Sequence, residues 1–185
     1  ISECLVGSEM CIRDRVSIEE SAFQDCINLS EVDLSRTKIE TIGVSAFIDC
    51  GISALSLPEG LKEIQDQAFY GNKSLKEVKL PLGIQVVENS AFCSSSIVKV
   101  ELPNSVTRLG YRAFADCADL KDFIVYDATV DGNGETIVEI GCFENCTSLK
   151  EIKIPDSIKK LEGHTFIGCK LSLIHISEPT RHSLI

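Results

Sequence analysis

Along most of this chain apolar residues return on two periods at once. The local period is two: in SLKEVKLPLGIQVVENSAF (residues 74–92) Leu75, Val78 and Leu80 lead to Pro81, and Ile84 and Val87 precede Phe92. The Glu77-Val78-Lys79-Leu80 alternation predicts a half-buried strand, and proline, which has no N–H to donate, marks its end. The same order recurs in SLKEIKIPDSIKKLEGHTF (148–166), where Leu149, Ile152 and Ile154 precede Pro155, and Ile158 and Leu161 lead to Phe166.

The longer period is set by phenylalanine. SAFQDC, SAFIDC, QAFYGN, SAFCSS, RAFADC, GCFENC and HTFIGC place Phe23, Phe47, Phe69, Phe92, Phe114, Phe143 and Phe166 at spacings of 24, 22, 23, 22, 29 and 23. The variants fall in turns: the two short units lose a residue before the strand (CGIS, SSSI), and the long one gains residues near DATVDGNGETIVEI. Apolar positions stay in register throughout. A fixed period in this range predicts a solenoid, and one such unit has too few neighbours to cover its own apolar side chains. Stability therefore has to come from unit stacked on unit, with phenylalanine on phenylalanine.

AFxxC followed by SLxxIxxP and SIxxL resembles the BspA-like leucine-rich repeat, over residues 16–170. The resemblance implies a leucine-rich-repeat solenoid of the α/β repeat class, dominated by β structure. It would be a right-handed curved coil with a parallel sheet on one face, and short strands and tight helical turns on the other. The chain departs from the motif at Asn72 and Ser95, which replace its cysteine, and at Cys142 and Thr165, which replace its alanine.

The ends lie outside this grammar. LSLIHISEPTR near the C-terminus and Leu5 to Asp14 near the N-terminus can be encoded by opposite strands of one DNA string, which resembles a transposase adapter used in sequencing libraries. Residues 1–15 and 171–185 are therefore expected to be adapter-derived, and residues 16–170 to be repeats truncated at both ends.

The 185 residues carry a net charge of −10 with a pI of about 4.8. An acidic chain lacks the basic face that phosphate neutralisation requires, so nucleic acid is not expected as a partner. No apolar run reaches the length of a membrane span, so no insertion is expected within these residues.

Of nine cysteines, Cys26, Cys50, Cys117, Cys146 and Cys169 occupy one repeat position and would stack as small buried groups. Ladder neighbours such as Cys117 and Cys146 could come close enough to bridge, but repeat register alone explains the spacing, and free thiols are expected. Cys142 and Cys146 form no CxxC pair and His164 is the only histidine in the repeats, so no zinc site is expected. Asp127, Asp131 and Gly132 fit three places of a calcium loop, but Thr129 and Val138 stand where ligands are needed. The same stretch reads better as a hairpin joining IVYDATV to ETIVEI. Asn28, Asn72 and Asn145 open glycosylation sequons. No nucleophile elbow, phosphate loop or dinucleotide fingerprint is present, so neither catalytic residues nor a cofactor are expected.

What remains is a surface. Outward positions of the predicted strands stack in two columns: Glu31, Ala54, Glu77, Lys99, Asp122 and Glu151, and Asp33, Ser56, Lys79, Glu101, Ile124 and Lys153. Lateral neighbours of opposite charge would steady the sheet. The columns would also form a concave polar face for a protein partner. The expected function is a noncatalytic protein-interaction or adhesion module, placed by the resemblance at the cell surface or in a secreted protein. The alternative is a targeting or spacer region of a larger enzyme or receptor.

Overall fold

The computed structural model describes residues 16–126, 136–154 and 157–176. Two series of short strands alternate along it. One series is β1 (Ser17–Ile18), β3 (Thr41–Ile42), β5 (Glu63–Ile64), β7 (Val86–Val87), β9 (Arg108–Leu109), β11 (Thr136–Val138) and β13 (Ile158–Leu161). The other is β2 (Glu31–Asp33), β4 (Ala54–Ser56), β6 (Glu77–Lys79), β8 (Lys99–Pro103), β10 (Asp122–Tyr126), β12 (Glu151–Ile154) and β14 (Leu173–Ile176). All pairings are parallel, each between one coil and the next. The molecule is a β-solenoid of about six turns.

The odd-numbered strands form one unbroken seven-stranded sheet, whereas the even-numbered ones form separate sheets β2–β4, β6–β8–β10 and β12–β14. In five strands of the even series the second residue turns inward: Val32, Val78, Val100, Phe123 and Ile152 are all buried. The core continues through Leu75, Leu80, Ile84 and Val87 and their counterparts in other coils.

The third corner of each coil carries the phenylalanines. All seven stack in one column, with ring centroids 5.0–5.9 Å apart and planes within 8° of parallel. This is offset stacking, the arrangement that ring quadrupoles favour over a face-to-face sandwich. The widest step, 5.9 Å, lies between Phe114 and Phe143, across the 29-residue unit. There Phe123 sits edge-on to both rings, at 6.3 and 4.7 Å.

The backbone around each phenylalanine explains the rest of the motif. Among the described residues no helix forms here; the expected helical turns are successive tight turns. Two residues per coil have positive φ: the one before the motif alanine (Ser21, Ser45, Gln67, Ser90, Arg112, Gly141, His164) and the one before the motif cysteine (Asp25, Asp49, Gly71, Ser94, Asp116, Asn145, Gly168). The left-handed conformation suits Gly, Asn and Asp, which hold six of the seven places in the second set. It makes alternate N–H groups point along the solenoid axis. Ser21, Phe23 and Asp25 donate to the carbonyls of Val44, Ala46 and Ile48 in the next coil, at 2.9, 2.8 and 3.0 Å. The intervening N–H groups, of Ala22, Gln24 and Cys26, close turns on Glu19, Ser21 and Phe23. The motif alanines Ala46, Ala68, Ala91 and Ala113 are fully buried between coils.

The structure corrects one expectation. The described parts of IVYDATV and ETIVEI are not paired as a hairpin: β10, up to Tyr126, pairs with β8, and β11, from Thr136, pairs with β9 and β13, so these two strands enter different sheets. Beyond Lys170, Leu173–Ile176 pairs with β12 in the register of a next coil. The open edge of β12 offers a template, and LIHI alternates well enough to use it. The calcium-like residues Asp127, Thr129, Asp131 and Gly132 lie outside the described residues, as do 1–15 and 177–185 of the segments read as adapter-derived.

Candidate functional site

The structure sets the two columns out in three pieces, one on each even-numbered sheet. Glu31 lies beside Ala54 and Asp33 beside Ser56; Lys99 lies between Glu77 and Asp122; Glu101 lies between Lys79 and Ile124. Glu151 and Lys153 stand on β12, opposite Leu173 and His175 of β14. All are exposed except Lys99 and Glu101, which are half-exposed.

The charged contact made on this face differs from the lateral pairing read from sequence. Lys99 Nζ reaches Glu101 Oε1 at 2.6 Å, two residues along its own strand and across the inward-facing Val100. That hydrogen bond, with the Glu101 charge behind it, raises the Lys99 pKa; desolvation opposes the rise, and the flanking Glu77 and Asp122 charges add lesser contributions to it. It also lowers the Glu101 pKa, opposed by burial and aided by the charges of Lys99 and Lys79. Lateral neighbours thus act through the field while the along-strand pair makes the contact. Asp33 is held ionised by hydrogen bonds from the Ser35 hydroxyl and N–H.

The opposite sheet carries its own charged network. Arg108 spans three coils, reaching Glu88 and Glu139 at 2.7 Å each. Arg112 reaches Asp116 at 2.5 Å and Glu144 at 3.7 Å. All but the Arg112–Asp116 pair, which lies within one coil, tie coil to coil on a side the sequence reading left unassigned.

The cysteine position has a role that composition hid. Each of these side chains donates to the carbonyl of the preceding coil's phenylalanine: Cys50 to Phe23 at 3.0 Å, Cys117 to Phe92 at 3.2 Å, Cys146 to Phe114 at 3.2 Å and Cys169 to Phe143 at 3.0 Å. Asn72 and Ser95 make the same bond, to Phe47 at 2.8 Å and Phe69 at 3.0 Å. The two departures from the motif therefore keep its chemistry, a short side chain with a donor. All seven described cysteines are free thiols. Burial lifts the Cys50 thiol to about 11 and the Cys117 thiol to about 12. A hydrogen bond with Cys169, followed by burial, raises Cys146. Buried, raised thiols are poor nucleophiles. Asn72 is fully buried with its amide committed, so its sequon is closed to modification; Asn28 and Asn145 are exposed. Among the described residues, no group of three or more His, Cys, Asp or Glu could hold a metal ion. No helix there is long and apolar enough to cross a membrane.

A parallel β-solenoid with a 22–24-residue period, an inward strand residue and a stacked phenylalanine corner defines a leucine-rich-repeat architecture. The profile of the BspA type leucine rich repeat region matches residues 8–121 and 129–183 in six copies, and the chain belongs to that family. Among solved structures it is similar to a leucine-rich repeat protein from Bacteroides ovatus, at 28% identity and a TM-score of 0.69, covering 88% of this chain and 41% of that one. It is also similar to the leucine-rich repeat protein of T. pallidum, at 29% identity and a TM-score of 0.61, covering 86% and 62%. The fold is shared with the pneumococcal vaccine antigen PcpA, at 22% identity and a TM-score of 0.55, covering 80% and 36%. The chain thus spans less than two thirds of each of these structures. A search of curated proteins finds no match.

Proposed function

We propose that this chain is a noncatalytic protein-interaction module that docks a macromolecular partner on the even-strand face, as part of a cell-surface or secreted adhesion protein. The observation that carries the reading is the pair of outward columns on parallel strands, from Glu31 and Asp33 to Glu151 and Lys153. Solenoids use such repeated faces for binding, because each coil adds two side chains at fixed spacing. Family membership supports the interaction role, and the surface placement follows from the family resemblance. Six carboxylates and three lysines stand on the columns, so the partner's surface is expected to be net basic.

The test is capture of surface-protein fractions on immobilised protein, with two charge-reversal variants compared. Lys99→Glu with Asp122→Lys alters the face, and Lys62→Glu with Glu40→Lys alters the opposite side. The reading predicts a captured protein lost at least tenfold with the first pair and kept with the second. Equal capture by both variants contradicts it.

A further inference from the structure

The even-strand face is not continuous. β2 pairs with β4, and β6 with β8 and β10, but β4 and β6 do not pair. Their coils nevertheless touch elsewhere: Phe47 stacks on Phe69 at 5.2 Å, and β3 pairs with β5. Two corners of these neighbouring coils are joined and the third is parted.

The main chain at that parting is left open on both banks. In a parallel strand, successive residues send their N–H and C=O to opposite neighbours. Ala54 N–H bonds Ser30 and Ser56 C=O accepts from Leu34, both towards β2, which turns the main-chain groups of Leu55 towards β6. Lys76 C=O accepts from Val98 and Lys99, and Leu80 N–H bonds Glu101, both towards β8, which turns those of Glu77 and Lys79 towards β4. A regular ladder would join Leu55 to Glu77 and Lys79; here it is absent.

Between the banks lies a groove of about 450 Å³, lined among others by Leu55, Leu57, Glu59, Lys79, Leu82 and Tyr126. That volume is within the roughly 300–1,000 Å³ of ligand sites. Leu55 is only half-buried, although Val32, Val78, Val100, Phe123 and Ile152 at the same repeat position are all buried; Leu82 is 45% exposed. The Tyr126 hydroxyl crosses two coils to donate to Leu80 C=O at 2.8 Å. Burial raises its pKa, and the Glu59 and Glu101 charges raise it further, which marks negative potential at this end of the groove.

An apolar small molecule would cover the leucines and leave the open main-chain groups unpaired. A polar one would do the reverse. An extended peptide answers both, since its main chain supplies the missing ladder and its alternate side chains seat on the leucines. Of the two charges that line the groove, Glu59 on the β4 side selects a basic residue there, and Lys79 stands on the β6 side. We propose that the β4–β6 groove takes an extended segment of the partner protein, with an apolar side chain against Leu55 and Leu57 and a lysine or arginine facing Glu59. The inference rests on the interaction role proposed above and names where and how the partner docks.

The probe is a fluorescein-labelled Lys-Val-Lys-Val-Lys-Val-Lys peptide, read by fluorescence anisotropy with the whole chain. Saturable binding is expected, at least tenfold weaker for Glu-Val-Glu-Val-Glu-Val-Glu and for a peptide with proline at the central valine. Glu59→Lys, at an exposed site that folding does not need, should weaken the lysine peptide tenfold; Leu55→Gln should do the same. Amide exchange followed by NMR gives an independent reading: the Leu55, Glu77 and Lys79 amides should exchange fast in the free protein and be protected by the peptide. Protection of those amides in the free protein, equal binding of the proline peptide, or self-association abolished by Glu59→Lys would each overturn the inference. If Glu59→Lys leaves capture of the protein partner intact while Lys99→Glu with Asp122→Lys removes it, the groove is wrong and the interaction face stands. If neither variant affects capture, the face itself is wrong.

Discussion

Single residues in this protein act by what they give the next coil. Cys117 shows it: its thiol is buried and satisfies the Phe92 carbonyl one coil back. Cys117→Ser keeps a donor and should cost less than about 0.5 kcal/mol, whereas Cys117→Val removes it, leaving the Phe92 carbonyl the Ser95 N–H alone, and should cost about 0.5–1.5 kcal/mol in urea unfolding. The thiols also set an alkaline limit. An unfolded thiol ionises near pH 9, while Cys50 and Cys117 are held up to about 11 and 12, so their contribution is complete below pH 9 and fades as pH rises through those values. For Cys117 the slope reaches about 1.4 kcal/mol per pH unit. A series of melting temperatures from pH 8 to 11 should fall, and fall less steeply for Cys117→Ser. At this scale the sequence was only half legible. The cysteine register was plain, but Asn72 and Ser95 looked like losses, because a one-dimensional pattern shows residue type and not the carbonyl each side chain meets. The positive-φ sites were invisible at Gln67 and Arg112, whose side chains have no preference for that conformation; the stacked neighbours impose it.

Elements here are short, and their order comes from stacking. Two-residue strands such as β3 and β5 have almost no intrinsic stability, yet they sit in a seven-stranded sheet. The phenylalanine column is the corresponding element at the third corner. Phe114 is fully buried, with Phe92 and Phe143 on its faces and Phe123 at its edge. Phe114→Ala should cost about 3–5 kcal/mol, and Lys121→Ala, at an exposed turn, less than about 0.5 kcal/mol, both by chemical denaturation. Strand positions were legible, because alternation and proline fix them locally. The hairpin reading failed because two β-prone runs around a glycine-rich turn look alike whether they pair with each other or with adjacent coils. Coil register, a long-range property, decides for the second.

The whole molecule is a quasi-one-dimensional stack, and its face inherits that regularity. Both columns were readable from spacing alone, since a constant period carries every outward residue to the same side. The parting between β4 and β6 was not: the unit carrying β4 is one residue short at CGIS, just before the strand, but the other short unit, at SSSI, still pairs on both sides, so the deletion alone does not announce a parting. The central claim is that coils are interchangeable units stabilised by their neighbours. It is tested most directly by urea unfolding, followed by circular dichroism, of a chain lacking residues 69–91, one full period from Phe69 to Ala91 that rejoins Ala68 to Phe92. A chain lacking 69–80 serves as the out-of-register comparison. The account predicts that the full-period deletion still unfolds cooperatively with β-rich dichroism and a modestly lower midpoint, while the partial deletion loses its transition. Loss of cooperative unfolding in both chains alike would contradict it.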